Sequence, residues 1–455
     1  MHDLSETVVA VATPPGRGSV GCVRISGPQA IDAAARLFRP AVRDAWPRPG
    51  GRPRFGTFLD REGRDLDHGF AVAFAPGGSF TGESAVELWP HGSPAVLAEL
   101  VQGALAAGAT AAGPGEFTYR ALCNGKLDLV RAEAVRDLVE ARTLFQARVA
   151  FGQAEGSLSR RLRPLREQLE EWIARGEAAV EFVDESETHL TRADLEQAIR
   201  RARESCAALL SGYRTGRVVR EGATLALIGL PNAGKSSLFN KLLERDRAIV
   251  TAQAGTTRDT LEEDVDLAGV PLRLIDTAGL RDAAGEAETE GVRRAERARA
   301  EADLVLLVLD ASRPLRPLER DALDRGSGGP ERGRTIVALN KCDLPEAAGA
   351  EYPGALRVSA LTGEGLGALR AELRRRLLGT GPVEDPIMTN GRHARGLEQA
   401  REALDRAAAG AAGGLPDELL LEDLREAMRH VGTITGEFTA DALYERIFST
   451  FCIGK

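Results

Sequence analysis

Short apolar runs separated by turns fill residues 1–126. Thr7–Ala12 and Val20–Ile25 have strand character and flank Thr13-Pro14-Pro15-Gly16-Arg17-Gly18; Phe70–Phe74 and Ala85–Trp89 are further strand candidates. Ala30–Phe38 and Ser93–Ala107 carry helical spacing instead, so this part reads as α+β. From Leu127 to about Tyr213 the strand signal stops. Apolar residues recur three and four apart, as at Leu158, Leu162, Leu165 and Leu169, which predicts long helices. The same texture returns after Pro382 and runs to the C-terminus. Between the two helical stretches, Thr224–Ile228, Leu272–Ile275, Leu304–Leu309, Thr335–Leu339 and Leu356–Val358 alternate with helical segments, the pattern of a doubly wound, mostly parallel sheet. Gly326–Gly333 and Ala347–Gly354 read as surface loops. The expected fold class is multidomain, α+β and α/β. It comprises an N-terminal α+β domain over 1–126, a discontinuous helical domain over 127–217 and 382–455, and an inserted doubly wound domain over 218–381.

Composition adds bounds. A chain of 455 residues has room for about three domains. At 43% hydrophobic and 28% charged it is not a disordered chain. A net charge of −8 argues against a generally basic nucleic-acid-coating protein and leaves room for a local basic patch. The start lacks the basic and apolar regions of a signal peptide, and no apolar run approaches the length of a membrane span. Cys22, Cys123, Cys206, Cys342 and Cys452 are scattered, with no C-x-x-C or Cys/His cluster, so neither a disulfide framework nor a zinc site is expected. A reduced cytoplasmic setting with no membrane fits. The basic residues are nearly all arginine; Lys126, Lys235, Lys241, Lys341 and Lys455 are the lysines, and each marks a candidate position for a compact ammonium. Arg24 and Glu87 sit inside apolar strand patterns, where a charge needs a partner or a ligand.

The candidate chemistry concentrates in the inserted domain. Gly229-Leu230-Pro231-Asn232-Ala233-Gly234-Lys235-Ser236 joins an apolar run to the amphipathic segment Ser237–Leu243. G-x-x-x-x-G-K-S between strand and helix is a phosphate loop: glycines turn backbone N–H groups toward one point, and the helix start favours an anion. Lys235 would reach the β- and γ-phosphates and Ser236 would ligate Mg²⁺. Thr251-Ala252-Gln253-Ala254-Gly255-Thr256-Thr257 then stands between this loop and the next strand as a switch candidate, with Thr257 as the second Mg²⁺ hydroxyl. Asp276-Thr277-Ala278-Gly279 ends a strand in the D-x-x-G form: the Asp reaches Mg²⁺ through water and the Gly N–H reaches the γ-phosphate. Asn340-Lys341-Cys342-Asp343 also ends a strand. Asp343 would accept from guanine N1–H and the exocyclic amine, a donor pair adenine lacks, while the Lys341 stem covers the base and Asn340 braces the loops. Ser359-Ala360-Leu361 ends the last strand, where backbone N–H groups can reach the guanine oxygen. Four motifs in order at strand ends imply GTP rather than ATP.

The inserted domain resembles GTPases of the Era/Der type in the translation-factor class. Ala12-Thr13-Pro14-Pro15-Gly16-Arg17-Gly18, Ser79-Phe80-Thr81-Gly82-Glu83, Pro114-Gly115-Glu116-Phe117 and Phe451-Cys452-Ile453-Gly454-Lys455 resemble the tRNA-modification GTPases of the MnmE (TrmE) family over the whole chain. Leu280 follows Asp-Thr-Ala-Gly where many regulatory GTPases carry a water-orienting Gln. The resemblance implies that K⁺ offsets the transition-state charge instead, with ligands at Asn232, Thr251, Gln253 and Thr256; read from the residues alone, Asn232 is also an ordinary turn residue. It implies a Glu that positions the attacking water, aligned with Glu288, with Glu286 and Glu290 as near alternatives. It implies a 5-formyltetrahydrofolate site in the N-terminal domain at Arg24, Glu87, Lys126 and Lys455.

Cys452, beside Lys455, is a candidate nucleophile toward a pyrimidine ring, against the alternative of a buried structural thiol. The implied protein is a homodimeric GTPase that works with the flavin-dependent partner MnmG (GidA). It adds an aminomethyl or carboxymethylaminomethyl group to carbon 5 of the wobble uridine of certain tRNAs. A ribosome-associated or assembly GTPase without base chemistry is the alternative from another class, and a folate-dependent aminomethyltransferase with a regulatory GTPase insert is a third reading.

Overall fold

The structure is a computed structural model that describes residues 3–42, 46, 49–181, 191–245, 262–267, 269–276, 297–327, 333–347, 352–379, 388–439 and 441–454. Contacts group the chain into two compact units. One comprises Met1–Arg136, Gly152–Ala202 and Gln399–Lys455, the other Asp137–Phe151 and Arg203–Glu398.

In the first unit, β1 (Val8–Val11), β2 (Val23–Ser26), α1 (Ala30–Leu37), β3 (Phe38–Pro40), β4 (Arg54–Leu59), β5 (Asp65–Phe74), β6 (Ala85–Trp89), α2 (Pro94–Ala106) and β7 (Thr110–Ala111) follow one another. The strands make one sheet in the order β3-β4-β5-β6-β2-β1-β7, antiparallel except for the β1–β7 pair. One face, with Val23, Ile25, Val86, Leu88 and Phe58, packs under Ala34, Leu37 and Leu100 of α1 and α2. Full burial of a side chain such as Phe58 stabilises by roughly 2–3 kcal/mol. Side chains alternate across a strand, so Arg24 and Glu87, set between those core residues, belong to the opposite face.

The apolar pattern finds β1, β2, β6 and the end of β5 but misses β3, β4, the start of β5 and β7. Gly56 and Gly69 interrupt it in β4 and β5. A Cβ at Gly69 would run into the Trp89 carbonyl and one at Gly56 into the Arg39 carbonyl, so close strand packing selects the residue that hides the strand.

Then come α3 (Glu116–Cys123), α4 (Leu129–Glu140), α5 (Leu144–Ala154), α6 (Ser157–Glu181), α7 (Arg192–Leu210) and α8 (Tyr213–Glu221). In the second unit they lead into β8 (Ala223–Ile228), α9 (Lys235–Arg245), β9 (Glu262–Leu267), β10 (Val270–Asp276), β11 (Leu304–Asp310), α10 (Pro317–Ser327), β12 (Thr335–Asn340), β13 (Leu356–Arg357) and α11 (Leu366–Leu378). The sheet runs β13-β12-β11-β8-β10-β9 and is parallel except for β9. β11 is buried at every position, as a strand covered on both faces must be. β9 escapes the apolar pattern because acids leave it only Val265 and Leu267 as buried hydrophobics. α10 runs through Gly326, which the sequence reading assigned to a loop; a Cβ there would lie 2.9 Å from the Thr335 methyl, so glycine lets the helix end lie on β12.

The chain closes with α12 (Gly391–Ala412), α13 (Asp417–Thr435) and α14 (Asp441–Phe448). α6 lies along α13: Leu162, Leu165 and Leu169 of the one and Leu420, Leu424 and Val431 of the other are buried. Among the described residues, no helix is long and apolar enough to cross a membrane.

Candidate functional site

The second unit's strand order reverses around β8, with β10 on one side and β11 on the other. Ligands bind at such switch points, beyond the carboxyl ends of the strands. The phosphate loop begins here. Gly229 lies so close to the Val308 carbonyl of β11 that a Cβ would collide with it. Asn232 and Gly234 hold left-handed φ values of 62° and 88°. At Gly234 a Cβ would displace the Asn340 amide.

Asn340, 1% exposed, donates through Nδ2 to the Ala233 carbonyl at 2.8 Å and accepts from the Ala360 N–H at 3.0 Å. It thereby ties the phosphate loop to the Ser359-Ala360-Leu361 loop. Lys235, buried at the start of α9, lies across the loop and donates to the Gly229 and Leu230 carbonyls at 2.9 and 3.0 Å. The side chains of Asn232, Ser236 and Ser237 are exposed and carry no hydrogen bond among the described residues, so a hydroxyl and a carboxamide are open to a cation beside the helix start.

Around the position expected for the base, Ser359 Oγ donates to Asp343 Oδ1 at 2.5 Å and accepts from the Thr362 N–H at 3.1 Å. The Ser359 amide is engaged by the Glu364 carbonyl at 3.0 Å and the Ala360 amide by Asn340. Of the three N–H groups expected to reach a guanine oxygen, that of Leu361 is left without a partner among the described residues. Leu361 is 79% exposed. Lys341 has φ 68° and donates to Asp310 Oδ2 at 2.7 Å. Lys241 pairs with Glu244 at 2.8 Å on α9, consistent with a surface role. The backbone of Asp276 ends β10 beside Leu227 of β8. The Asp276 side chain, Thr251, Ala252, Gln253, Ala254, Gly255, Thr256, Thr257, Thr277, Ala278, Gly279, Leu280, Glu286, Glu288, Glu290 and Lys455 lie outside the described residues.

In the first unit, the two charges found inside apolar strands are each other's partner. Arg24 donates to Glu87 Oε1 from Nε at 3.0 Å and from Nη2 at 2.8 Å. Arg24 Nη1 also donates to the Gly454 carbonyl at 3.3 Å, and the guanidinium stands 5.5 Å from the centre of the Phe117 ring. Burial and the Glu87 charge push the neighbouring Cys22 thiol up to about 12, so it stays protonated.

The C-terminal tail reaches this face of the sheet because two glycines allow it. A Cβ at Gly115 would fall 2.9 Å from Phe451 Cβ, and one at Gly454 would strike the Val11 carbonyl. Ile453 bridges to Pro114 and the Cys452 carbonyl accepts from the Gly115 N–H at 3.3 Å. The Cys452 side chain is exposed, which rules out the buried structural thiol. Lys126 donates to the Gly77 carbonyl at 2.9 Å, and Gly82 (φ 81°) packs on its stem.

Comparison with known proteins bears on both units. A family model described as the MnmE helical domain matches residues 129–452, and one described as the GTP-binding protein TrmE N-terminus matches residues 7–126. Proteins named tRNA modification GTPase MnmE from Koribacter versatilis and Aquifex aeolicus are 44% and 41% identical to this chain. They cover 100% and 99% of it, over their whole lengths. One of the same name from Xanthomonas campestris is 44% identical with full coverage of both chains. The chain belongs to the MnmE family.

Two of the motifs that carry the MnmE resemblance, Ser79–Glu83 and Pro114–Phe117, meet in a buried polar cluster that the sequence reading missed. Arg120 of α3, fully buried, pairs with Glu116 at 2.8 Å and Glu83 at 3.1 Å and donates to the Glu6 and Asp3 carbonyls. Ser26 bonds Thr81 and Glu83, each at 2.7 Å, and Asn124 donates to the Thr81 carbonyl at 2.8 Å. The Ser79–Glu83 loop is thereby fixed beside Lys126. The available signal was the E-x-x-x-R spacing of Glu116 and Arg120 on a helix. Asp310, the buried acid under Lys341, was missed as well: it ends an otherwise apolar strand and belongs to none of the nucleotide motifs.

Proposed function

We propose that this chain binds and hydrolyses GTP and, as a cytoplasmic homodimer working with tRNA and a flavin-dependent partner, MnmG (GidA), modifies carbon 5 of a wobble uridine. The group added is aminomethyl or carboxymethylaminomethyl, with its one-carbon unit drawn from 5-formyltetrahydrofolate. The proposed partition is a folate and dimerisation domain over 1–126, a helical domain over 127–217 and 382–455, and a GTPase domain over 218–381. Lys235 and the first amides of α9 would hold the phosphates, Asp343 the guanine edge, and Glu288 the attacking water. The open hydroxyl of Ser236 and carboxamide of Asn232 fit a Mg²⁺ and a K⁺ ligand. With Thr257 and with Thr251, Gln253 and Thr256 they would hold the two cations, which supply charge compensation at the phosphates.

The observation that carries the base-modifying reading over an assembly switch is the tail: the Gly454 carbonyl rests on Arg24, which is paired with Glu87. A folate site built from Arg24, Glu87 and the tail requires such a contact, and an assembly switch does not. A pterin offers an amide edge to a carboxylate and a glutamate tail to cations, which suits Glu87 with Arg24, Lys126 and Lys455. The exposed Cys452 would stand beside it as a nucleophile. Mass analysis of tRNA nucleosides from cells lacking the protein tests the reading. Loss of a modified wobble uridine is expected; an unchanged nucleoside profile would return the protein to the assembly class.

A further inference from the structure

β11 and β12 are parallel neighbours whose last residues, Asp310 and Asn340, are paired in register, so the residue after Asn340 emerges next to the Asp310 carboxylate. Lys341 turns there through φ 68°, a left-handed conformation that costs a non-glycine residue about 1 kcal/mol or more. Its ammonium donates to Asp310 Oδ2 at 2.7 Å. Asp310 is itself fixed. It is 6% exposed, and Oδ1 accepts from the Ser312 amide at 3.0 Å and hydroxyl at 2.6 Å. Arg313, the other nearby cation, is drawn off: its guanidinium forks onto Glu319 at 2.7 and 2.9 Å and stays 3.8 Å from Asp310. Glu319, 2% exposed, is held further by the Arg316 amide at 2.9 Å. Burial raises the Asp310 carboxyl, but Lys341 and Ser312 outweigh that and keep it below the usual carboxylate range.

A flexible lysine loses about 2 kcal/mol of rotamer freedom when its stem is ordered. If the Lys341 stem is to cover a guanine ring, something must have straightened it beforehand. We propose that Asp310 is a positioning residue for nucleotide recognition. It anchors the Lys341 ammonium so that the stem is already extended as a wall for the base, with Ser312 fixing the carboxylate and Glu319 holding the Arg313 guanidinium at the longer distance of 3.8 Å. This rests on the guanine-site reading of Asn340-Lys341-Cys342-Asp343 and adds a residue to it. The anchored stem touches the face of the base and not its edge, so it contributes affinity without selecting among purines.

The test uses the full-length protein. Asp310→Asn, Lys341→Met and the double variant are assayed for GDP dissociation constant and for KM and kcat with GTP and with inosine triphosphate. Asp310→Asn should raise KM and the GDP dissociation constant by about tenfold, equally for both bases, with kcat little changed. The double variant should be no weaker than Lys341→Met alone, because both changes remove one interaction. A merely structural role for Asp310 would make the two losses add. Additive losses, or unaltered nucleotide affinity in Asp310→Asn, would overturn the proposal. If instead the wild type shows no guanine preference and Asp343→Asn changes nothing, the failure belongs to the guanine-site reading.

Discussion

Asn340 holds two loops with one carboxamide, which supplies a donor and an acceptor at a buried point. Without it the Ala233 carbonyl and the Ala360 amide would each lose a partner, at a cost of about 1–3 kcal/mol apiece. Asp343 works differently. Ser359 donates to it, a bond that an amide oxygen can also accept, so Asp343→Asn should fold normally. It should weaken GTP by at least about 100-fold and turn preference toward xanthosine triphosphate, measured by competition binding; unchanged preference would contradict the guanine assignment. Asn232 sits at φ 62°, where Asn and Gly are tolerated and alanine is strained. Asn232→Gly therefore removes the carboxamide while sparing the backbone. Wild-type hydrolysis should run roughly tenfold or more faster in K⁺ than in Na⁺, and Asn232→Gly should erase the difference while retaining GTP binding. Equal wild-type rates in the two salts would remove the K⁺ assignment. Arg120 is the residue that local reading undervalued. A buried guanidinium carries a desolvation cost of several kcal/mol; its own helix supplies Glu116, and only the fold supplies Glu83 and the two carbonyls that complete the offset.

Elements were legible in proportion to how much of their apolar face the residues could show. β8, β11 and β12 are buried on both faces and read as unbroken hydrophobic runs. β4 and β9 did not read as strands, one broken by a glycine that packing requires and the other carrying acids along an edge. α3 also went unread. It is eight residues long and opens at Gly115 in a left-handed conformation, a position explained by the tail packed against it. That tail is itself an element whose role is testable. Deleting residues 452–455 removes the Gly115 and Pro114 pairings and the Gly454 contact to Arg24. Calorimetric titration should show 5-formyltetrahydrofolate binding lost and GTP binding spared; retained folate affinity would take Lys455 out of the site.

At the scale of the whole molecule, the four nucleotide motifs could be placed from sequence because each is local. A strand end and the loop after it are contiguous, and the glycines, Lys235 and Asp343 mark the motifs by type and order. The fold class followed from periodicity for the same reason. The sequence alone thus determined the inserted α/β domain, the nucleotide and the position of each motif at a strand end. It also flagged Arg24 and Glu87 as charges in need of partners. Only the tertiary structure decided that they satisfy one another, that a glycine 430 residues after Arg24 caps that pair, and that Asp310 lies under Lys341. These contacts join positions far apart in the chain. Strand register and close backbone approach create them; a residue type such as Gly454 permits the approach but does not name the partner.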